Sequence, residues 1–514
     1  MKTKKKILTL AMALLTSSMI VGCEFTPSDD PNNNNNNNEP GEVVKKDYKK
    51  GEVDQKGASI NPKSIVGYVG DVMPFYEDGV MNVFYLQDER NTWLGFHPFA
   101  LMTSSDFINY HDYGTVIPYV NDKTSQDLAL GTGTIIKGND GKYHAFYTGH
   151  NSRKDSGLQN YEKIQHATST DKINWTKHPE DGFYGGHNDF RDPYVYYSAE
   201  DNYYYMLVTT RQNDVGIIRQ YRSRNFKYWT DCGAFYRNPN QTYNMECPTF
   251  LEYNGYYYLT FSEQGTHRVT HYRYKKNLSD EWIIPEVDYF DGEGLYAARL
   301  EKGFDKLLIY GWCGTKDSHK DSSNFNWAGN LVTHELVQQE NGELRVKMVD
   351  EIDKAFDNEV KYTMASGDEI TNLEFNKSKN SAYRVESLSD NVTKIEFKIN
   401  ASSLSGKVGL TFNTSVIDRL SDLVISFNLS ENTLTYHNKA KSFNDFGNAQ
   451  IVVPYKFDAN KDINVKAIID GEIITVYLDE TICLTTRIYQ MPNKCFSFFG
   501  AATDAALKEI KFYE

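Results

Sequence analysis

The sequence predicts an all-β protein, a five-bladed β-propeller followed by a C-terminal β-sandwich. Two observations indicate this fold class: a turn-and-strand unit that recurs five times along the first two thirds of the chain, and strands of alternating pattern in the last third. Aromatic residues make up 14% of the 514 residues and include 37 tyrosines, and such residues favour strands. Aromatic faces also stack on sugar rings, so the composition leans towards a β-rich protein that acts on glycans.

The recurring unit is a polar turn followed by an aromatic, β-rich strand. Its turns lie at 78–79, 140–141, 201–202, 254–255 and 303–305. A second unit, a short polar turn that ends in Tyr or Trp, interleaves with the first at 104–110, 169–175 and 223–229. A shared β-rich period of roughly 50 to 60 residues is typical of four-stranded blades, so five copies predict a propeller over residues 58–355. The alternative is an all-β sandwich whose hairpins resemble one another by chance.

The C-terminal part, residues 362–514, has a different pattern. Apolar and polar residues alternate in segments such as 393–399 and 474–478, and turns such as Asp470-Gly471 separate these segments. This pattern is typical of an antiparallel sandwich with one buried face per sheet. The region shows no grouping of catalytic residue types, and we expect it to brace the propeller.

The N-terminus predicts export. Residues 1–22 combine a lysine-rich start with an apolar run that is too short to span a membrane and ends in small residues, as in a secretory signal peptide. The run ends at Ile20-Val21-Gly22-Cys23, which resembles the bacterial lipobox, so Cys23 is the predicted lipidation site. We therefore expect a lipid-anchored protein of the bacterial cell envelope, at the cell surface or in the periplasm. An ordinary signal peptide with an incidental cysteine is the alternative.

Residues 23–57 predict a flexible, Asn-rich tether. This stretch contains seven consecutive asparagines and almost no apolar residues, so it cannot bury a core. The net charge of the whole chain is −14, which disfavours nucleic acid and anionic substrates as partners. We expect a neutral oligosaccharide or polysaccharide as the partner, the membrane through the N-terminal lipid, and no obligate protein partner.

Cysteine usage predicts neither a disulfide framework nor a metal site. With Cys23 assigned to the lipid, five cysteines remain, at 232, 247, 313, 483 and 495. No two of them have a C-x-x-C spacing, and an odd number leaves at least one free thiol. Cys247 adjoins a candidate catalytic residue, and the simpler interpretation is a buried packing residue.

Three acidic residues are candidate catalytic groups: Asp71, Asp192 and Glu246. Each lies seven to nine residues before the turn of its blade and near a proline, so each is expected at an equivalent place on an inner strand. Inner strands gather around the propeller axis, which brings distant motifs together. Cleavage of a glycosidic bond needs a carboxylate and a carboxylic acid on either side of that bond. The alternative is that these acids cap turns between blades.

The neighbours of these acids predict different roles. Arg191 would keep the adjacent Asp192 ionised, because a nearby positive charge favours the carboxylate. Glu246 is flanked by Met245, Cys247 and Pro248, which predicts a drier setting suited to a general acid.

At these motifs the chain resembles glycoside hydrolase family 32, which includes invertases, inulinases and levanases. The matching stretches are Phe-Arg-Asp-Pro at 190–193, Glu-Cys-Pro at 246–248 and Tyr-Ala-Ala at 296–298. The resemblance extends over about residues 65–514. It implies a retaining cleavage of terminal β-fructofuranosides with Asp71 as nucleophile and Glu246 as acid/base. It further implies that Asp192, helped by Arg191, binds sugar hydroxyls, and that no metal or cofactor is needed.

The chain departs from the family pattern around Asp71. The usual stretch Trp-Met-Asn-Asp-Pro-Asn-Gly is here Tyr68-Val-Gly-Asp-Val-Met-Pro74, so that Gly70 replaces the asparagine that contacts the sugar. An altered pocket would be compatible with a different furanose as substrate or with a fructosyl-transfer reaction. The predicted substrate-binding residues are Arg191, Trp93, His97, Tyr296 and Trp327. The alternative interpretation is that Trp93, His97 and Phe99 are core residues.

Two other functions remain open at this stage. One is an arabinofuranosidase or arabinanase like those of glycoside hydrolase family 43, whose release of arabinose would identify it. The other is a non-catalytic surface lipoprotein that binds glycans, for which the altered stretch around Asp71 is the main support.

Overall fold

The structure is a computed structural model that describes residues 53–56, 59–89, 97–239, 241–265, 267–364, 366–385, 392–401, 403–412, 420–490 and 496–514. The predicted signal peptide, the lipidation site Cys23, most of the predicted tether, Trp93 and Cys495 lie outside these residues. No helix in the described ranges is long and apolar enough to cross a membrane.

The first two thirds of the described chain form five antiparallel blades. Blade I consists of β1 (Val53–Lys56), β2 (Tyr68–Glu77), β3 (Val80–Asp88), β4 (Phe99–Ser104) and β5 (Asn109–Ile117). Blade II consists of β6 (Ala129–Lys137), β7 (Tyr143–His150), β8 (Glu162–Ser169) and β9 (Trp175–Lys177). Blade III consists of β10 (Arg191–Ser198), β11 (Tyr203–Gln212), β12 (Val215–Ser223) and β13 (Thr230–Tyr236).

The last two blades follow in chain order. Blade IV consists of β14 (Met245–Tyr253), β15 (Tyr256–Glu263) and β16 (Thr270–Lys275). Blade V consists of β17 (Tyr296–Gly303), β18 (Lys306–Lys316), β19 (Phe325–Gln338) and β20 (Leu344–Lys347). Single-turn 3-10 helices occupy Gln126–Leu128, Pro179–Asp181 and Asp317–His319.

Two details of the blades differ from the sequence prediction. Val53–Lys56, predicted as tether, pairs antiparallel with β5, whose outer edge offers unpaired backbone groups. The described part of blade IV has three strands instead of four. Isolated bridges of Ile283 and Tyr289 take the place of the fourth. Pro285 lies between those two bridges and cannot donate a ladder hydrogen bond, which explains the interruption.

The predicted hairpin turns connect the first and second strands of the blades. At two of them, Asp78-Gly79 and Asn254-Gly255, both turn residues have positive φ angles: 51° and 78° in the first, 45° and 80° in the second. Such left-handed conformations suit Asp, Asn and Gly and match the twist of two-residue hairpins. The turn positions proposed from the repeat therefore coincide with real hairpins.

The C-terminal region follows a short helix, α1 (Asp350–Ala355). Its strands are β21 (Glu359–Val360), β22 (Leu373–Glu374), β23 (Ser381–Val385), β24 (Thr393–Asn400), β25 (Lys407–Phe412), β26 (Leu423–Asn428), β27 (Thr433–His437), β28 (Ile451–Pro454), β29 (Ile463–Asp470), β30 (Ile473–Leu478), β31 (Ile482–Arg487), β32 (Phe496–Ala501) and β33 (Ala506–Tyr513). One sheet has the order β21-β33-β24-β29-β30-β31, with β22 also on β33, and the other has the order β23-β32-β25-β26-β27-β28. An apolar core lies between the two sheets, as in a β-sandwich.

The sandwich is joined to blade V through buried polar groups on β31. Asp291 accepts a hydrogen bond from the Thr485 amide at 2.7 Å, and its other carboxylate oxygen lies 3.2 Å from His334 Nε2. Arg487, 2% exposed, donates to the carbonyl of Gly314 at 2.9 Å. These bonds fix the sandwich against the outside of the propeller, which agrees with the bracing role expected for it.

Candidate active site

The five innermost strands form a ring. The innermost strand of every blade contacts the innermost strands of both neighbouring blades, so that β2, β6, β10, β14 and β17 follow one another around the axis. Each of the five has a shift of register against its partner strand, at Val69/Val72, Gly131/Gly133, Arg191/Tyr194, Glu246/Thr249 and Tyr296/Arg299. A bulge redirects side chains. The three candidate carboxylates all lie at these bulges.

Asp71 is held from two other blades. Its Oδ2 accepts a hydrogen bond from Thr132 Oγ1 at 2.5 Å, and its Oδ1 accepts one from the indole nitrogen of Trp312 at 3.0 Å. Burial raises the pKa of Asp71, and the charge of Glu246 raises it further against the opposing effect of the two hydrogen bonds. The two hydrogen bonds thus fix the orientation of the carboxylate.

Asp192 is the most strongly perturbed of the three acids. It has a φ of 55°, its amide donates to Thr148 Oγ1 at 3.0 Å, and its Oδ2 accepts from the Cys247 amide at 3.1 Å. Burial and the charge of Glu246 raise the pKa of Asp192 to about 7, and Arg191 opposes this only in part. Arg191 lowers this pKa, as predicted from the sequence, but desolvation and the charge of Glu246 outweigh it, so Arg191 alone does not keep Asp192 fully ionised at neutral pH.

Arg191 binds Glu246 instead of Asp192. Its Nε and Nη2 donate to Glu246 Oε1 at 3.2 and 3.0 Å, and the Tyr296 hydroxyl donates to Glu246 Oε2 at 2.9 Å. The side chain of Glu246 is 14% exposed. Its immediate partners are thus a cation and a phenol, whereas the prediction of a drier setting rested on its sequence neighbours. A forked guanidinium contact of this kind fixes the plane of the carboxylate.

Arg191 itself is surrounded by acids. Its Nη1 lies 3.5 Å from Glu162 and 3.4 Å from Asp189, and its Nη2 donates to Gln264 at 3.3 Å. Burial opposes the charge on Arg191, but Glu162 and Glu246 outweigh it and raise the pKa of the guanidinium well above its ordinary value. Arg191 is therefore a permanent cation beside Glu246.

Cys247 packs between the carboxylates. Its Sγ is 3.9 Å from Thr132 Oγ1 and 3.9 Å from Asp192 Oδ2, and the residue is 2% exposed. Burial and the charge of Asp192 raise the pKa of this thiol well above its ordinary value, so it stays protonated at neutral pH. This geometry favours the packing interpretation of Cys247. Cys232, Cys313 and Cys483 are likewise free thiols.

The described residues include only part of the predicted pocket wall, because Trp93 lies outside them. The rings of His97 and Trp327 lie 4.2 Å apart, and Trp327 lies 6.1 Å from Trp312. Phe99 is fully buried and packs on Tyr147 at 5.5 Å, which makes it a core residue. Tyr296 contacts Glu246, and its direct binding of substrate stays a prediction, as does any role of Trp93.

Two residues of the site were not predicted from the sequence. Thr132 lies eight residues before the turn at 140–141, the same spacing as the three acids, so the repeat could have identified it. Nothing in the sequence around Trp312 indicates that its indole reaches Asp71, 241 positions away.

Two groups of described side chains have spacings that would suit a metal ion: Asp291, His334 and Cys483, and His178, Glu180 and Asp181. Neither includes Asp71, Asp192 or Glu246. The first is the hydrogen-bonded cluster that joins blade V to the sandwich.

Comparison with known proteins places the chain in a family. Residues 70–347 match the profile of the glycosyl hydrolases family 32 N-terminal domain. An insoluble β-fructofuranosidase isoenzyme of Arabidopsis thaliana is 25% identical over 299 residues, which cover 51% of this chain and 49% of that protein. The sucrose-6-phosphate hydrolase of Escherichia coli is 26% identical over 277 residues, 48% of this chain and 55% of that protein. The chain thus spans about half the length of the curated relatives it matches.

Solved structures extend the likeness of fold to both regions. A family 32 β-fructofuranosidase of Bombyx mori has a TM-score of 0.66 at 17% identity, covering 90% of this chain and 93% of its own. The fructan 1-exohydrolase IIa of Cichorium intybus has a TM-score of 0.68 at 16% identity, covering 88% of this chain and 96% of its own. The predicted fold class, a five-bladed propeller followed by a sandwich, is confirmed. With more than half of its length matched by the family profile, the chain belongs to glycoside hydrolase family 32.

Proposed function

We propose that the protein is a retaining β-fructofuranosidase that releases terminal β-fructofuranosyl units from neutral oligosaccharides or polysaccharides. The observation that carries the proposal is the convergence of Asp71, Asp192 and Glu246 on equivalent bulges of three inner strands, each with different hydrogen-bond partners. Membership of family 32 supports it, as do relatives named β-fructofuranosidase and sucrose-6-phosphate hydrolase. The net charge of −14 favours neutral over phosphorylated sugars.

In the first step, the Asp71 carboxylate attacks the anomeric carbon of the fructosyl unit. The bond from that carbon to the leaving oxygen breaks, and the proton of Glu246 passes to this oxygen. The hydrogen bonds from Thr132 and Trp312 orient Asp71 for the attack, and Arg191 and Tyr296 hold Glu246 beside the leaving group. The product is a fructosyl ester of Asp71.

In the second step, water attacks the same carbon of the ester. Glu246, now a carboxylate, takes a proton from this water, and the carboxylate of Asp71 departs. Free fructose is released with its original configuration, and both residues return to their starting states. Transfer of the fructosyl unit to a sugar hydroxyl would follow the same route with a different acceptor.

The remaining site residues are proposed to bind the sugar. Asp192 accepts hydrogen bonds from hydroxyls of the terminal unit and stabilises the charge that develops on its ring. Arg191 positions Glu246, and His97, Trp93 and Trp327 contribute to the wall of the pocket. Such a wall has aromatic faces for the sugar ring and a few polar groups for its hydroxyls.

We also propose that the protein is exported and anchored through a lipid on Cys23. The lysine-rich start, the short apolar run and the stretch 20–23 support this. A Cys23→Ala variant should then be released from the membrane fraction on fractionation of the producing cells. Retention of that variant in the membrane would contradict a lipid anchor.

The test of the activity is sugar release from sucrose, inulin, levan and arabinan by residues 24–514. Asp71→Asn and Glu246→Gln serve as paired variants with little change in shape. We expect fructose from the unaltered protein and a loss of rate of about 10³-fold or more in both variants. Arabinose release, or no release by a folded protein, would exclude a fructosidase.

A second function is kept because Gly70 departs from the family pattern beside the nucleophile. In that case the protein binds glycans without cleaving them. Calorimetric binding that equals that of Glu246→Gln, with no sugar released by either protein, would identify this function.

A further inference from the structure

The indole of Trp327 fills the space that a side chain at position 70 would need. A Cβ atom on Gly70 would lie 2.3 Å from Cη2 and 2.5 Å from Cζ2 of Trp327, far inside van der Waals contact. Gly70 is not among the glycines with positive φ, so its backbone could accept another residue. The requirement for glycine here is therefore a requirement for space, and the indole fills that space.

This contact lies at the seam where the propeller closes. Val69, next to Gly70, forms a backbone pair that joins blade I to blade V, and its partner Gly329 is two residues after Trp327. Gly70 also immediately precedes Asp71. The residues that join the first blade to the last are thus also the residues next to the proposed nucleophile.

Trp327 belongs to an aromatic group beside Asp71. Its ring lies 6.1 Å from Trp312 at an interplanar angle of 66°, and the Trp312 indole donates to Asp71 Oδ1. On its other side the ring lies 4.2 Å from His97. Trp327 is only partly buried.

We infer that Trp327, seated over Gly70, is a specificity-determining residue that packs an aromatic wall against the apolar C–H face of the furanose bound at Asp71. This inference rests on the proposed function and deepens it. Because the indole occupies the space of any side chain at position 70, no side-chain hydrogen-bonding group can come from that position. Recognition on this side of the sugar then depends on shape and dispersion instead of a directed hydrogen bond.

An apolar wall discriminates between sugars less sharply than a hydrogen bond does. Contacts of this kind change selectivity by roughly 10- to 200-fold, whereas a buried hydrogen-bonding group reaches about 10⁴-fold. We therefore expect the enzyme to tolerate furanosides that differ in hydroxyls on this side. It should remain sensitive to the shape of the ring face that meets the indole.

The experiment compares Trp327→Phe and Trp327→Ala with Trp282→Ala, each made in residues 24–514. Trp282 is the matched control, since it packs on Phe235 and Phe250 between blades III and IV, away from the acids. The measurements are kcat and KM for fructose release from sucrose and inulin, the inhibition constant of fructose, and the melting temperature. We expect Trp327→Ala to lose 10- to 100-fold in kcat/KM and to bind fructose more weakly, with Trp327→Phe intermediate. The control should change only the melting temperature.

A second pair of variants tests the shared volume. Gly70→Ala alone should impair both kcat/KM and the melting temperature, because its methyl group collides with the indole. In a Trp327→Ala background the same substitution should cost much less, although the Leu86 carbonyl 3.1 Å away leaves some strain. Equal costs in both backgrounds would contradict the shared volume. Loss of stability without any change in the fructose constants would show that Trp327 is only structural.

The outcome can be separated from that of the proposed function. If the unaltered protein releases no fructose, the function fails, and the inference is then decided by calorimetric binding of fructose, arabinose and sucrose to the protein and to Trp327→Ala. Weaker binding by the variant would retain the wall as a sugar-binding surface. Absence of binding to the unaltered protein would overturn the inference as well.

Discussion

The propeller and the sandwich are built from the same antiparallel strands but distribute irregularity differently. All five inner strands of the propeller have a bulge at the same level, and Asp192, Cys247 and Ala297 have positive φ angles there. The described strand pairs of the sandwich contain one register shift, at Glu396/Lys398. Its core is a continuous set of apolar side chains.

The difference shows in which part of the fold the candidate site lowers stability. Non-glycine residues in left-handed conformations and buried carboxylates both lower stability, and they persist where the surroundings hold them. In this chain three such conformations, at Asp192, Cys247 and Ala297, lie on the ring of inner strands that also holds the candidate carboxylates. The sandwich and the outer strands provide the regular packing that compensates.

Among the variants that test this comparison, the largest effect is expected at Asp192. Asp192→Asn should lower kcat/KM by about 10²- to 10³-fold, because a charge that stabilises the transition state is lost. The same variant should melt higher by a few degrees at pH 8. The native pKa of about 7 exceeds that of the unfolded chain, so native Asp192 loses stability as the pH rises from about 4 through 7, and asparagine does not. Calorimetry at pH 5 and pH 8 should show the gain growing with pH.

Asp171 is the control for that measurement, because its pKa is shifted in the opposite direction. Partial burial raises its pKa, but hydrogen bonds from Asn174 and Ile173 outweigh this and lower it. Asp171→Asn should therefore reduce the melting temperature at pH 8. An Asp192→Asn variant that also melts lower at pH 8 would contradict the idea that the site is held at a cost to stability.

The next effect concerns the partners of Glu246. Arg191→Lys should lower kcat by roughly 10- to 100-fold, since a lysine cannot reproduce the two donated hydrogen bonds. Tyr296→Phe removes one bond and should cost about 10-fold or less. Both effects should appear in kcat more than in KM, as measured by initial rates of fructose release. Rates that change only through KM would assign both residues to substrate binding.

A smaller effect is expected from two matched core substitutions, one in the sandwich and one in the propeller. Ile474 of the sandwich and Ile309 of blade V are both fully buried. Ile474→Val and Ile309→Val should each cost about 1 kcal/mol of unfolding free energy, measured by denaturant titration. Because neither touches the site, kcat/KM should stay within about twofold. A large loss of activity in Ile474→Val alone would mean that the sandwich does more than brace the propeller.

The smallest effect is expected for Cys247. Its neutral, buried thiol has no proposed chemical role, so Cys247→Ser should change kcat/KM by a few-fold at most. In the folded protein, thiol reagents should label the exposed Cys232 well before Cys247, as mapped by peptide mass spectrometry. Rapid labelling of Cys247 with loss of activity would indicate that the centre of the ring opens to solvent.

Local patterns were sufficient for part of the site. Three acids at one spacing from repeated turns could be identified because propeller blades repeat in sequence as well as in space. The same spacing would have found Thr132. The partner of Arg191 could not be found in this way, because Asp192 is its neighbour along the chain whereas Glu246, 55 positions away, is its neighbour across the ring.

The sequence by itself determined the fold class, the order of the two regions and the three candidate acids. Turn residues, strand alternation and short motifs act locally, and they can be read along the chain. Only the tertiary structure decided that burial raises the pKa of Asp192, which arginine contact forms, and that Trp327 fills the space beside Gly70. These properties depend on burial and on the closure of blade V against blade I. Both arise only when strands that are distant in sequence meet around one axis.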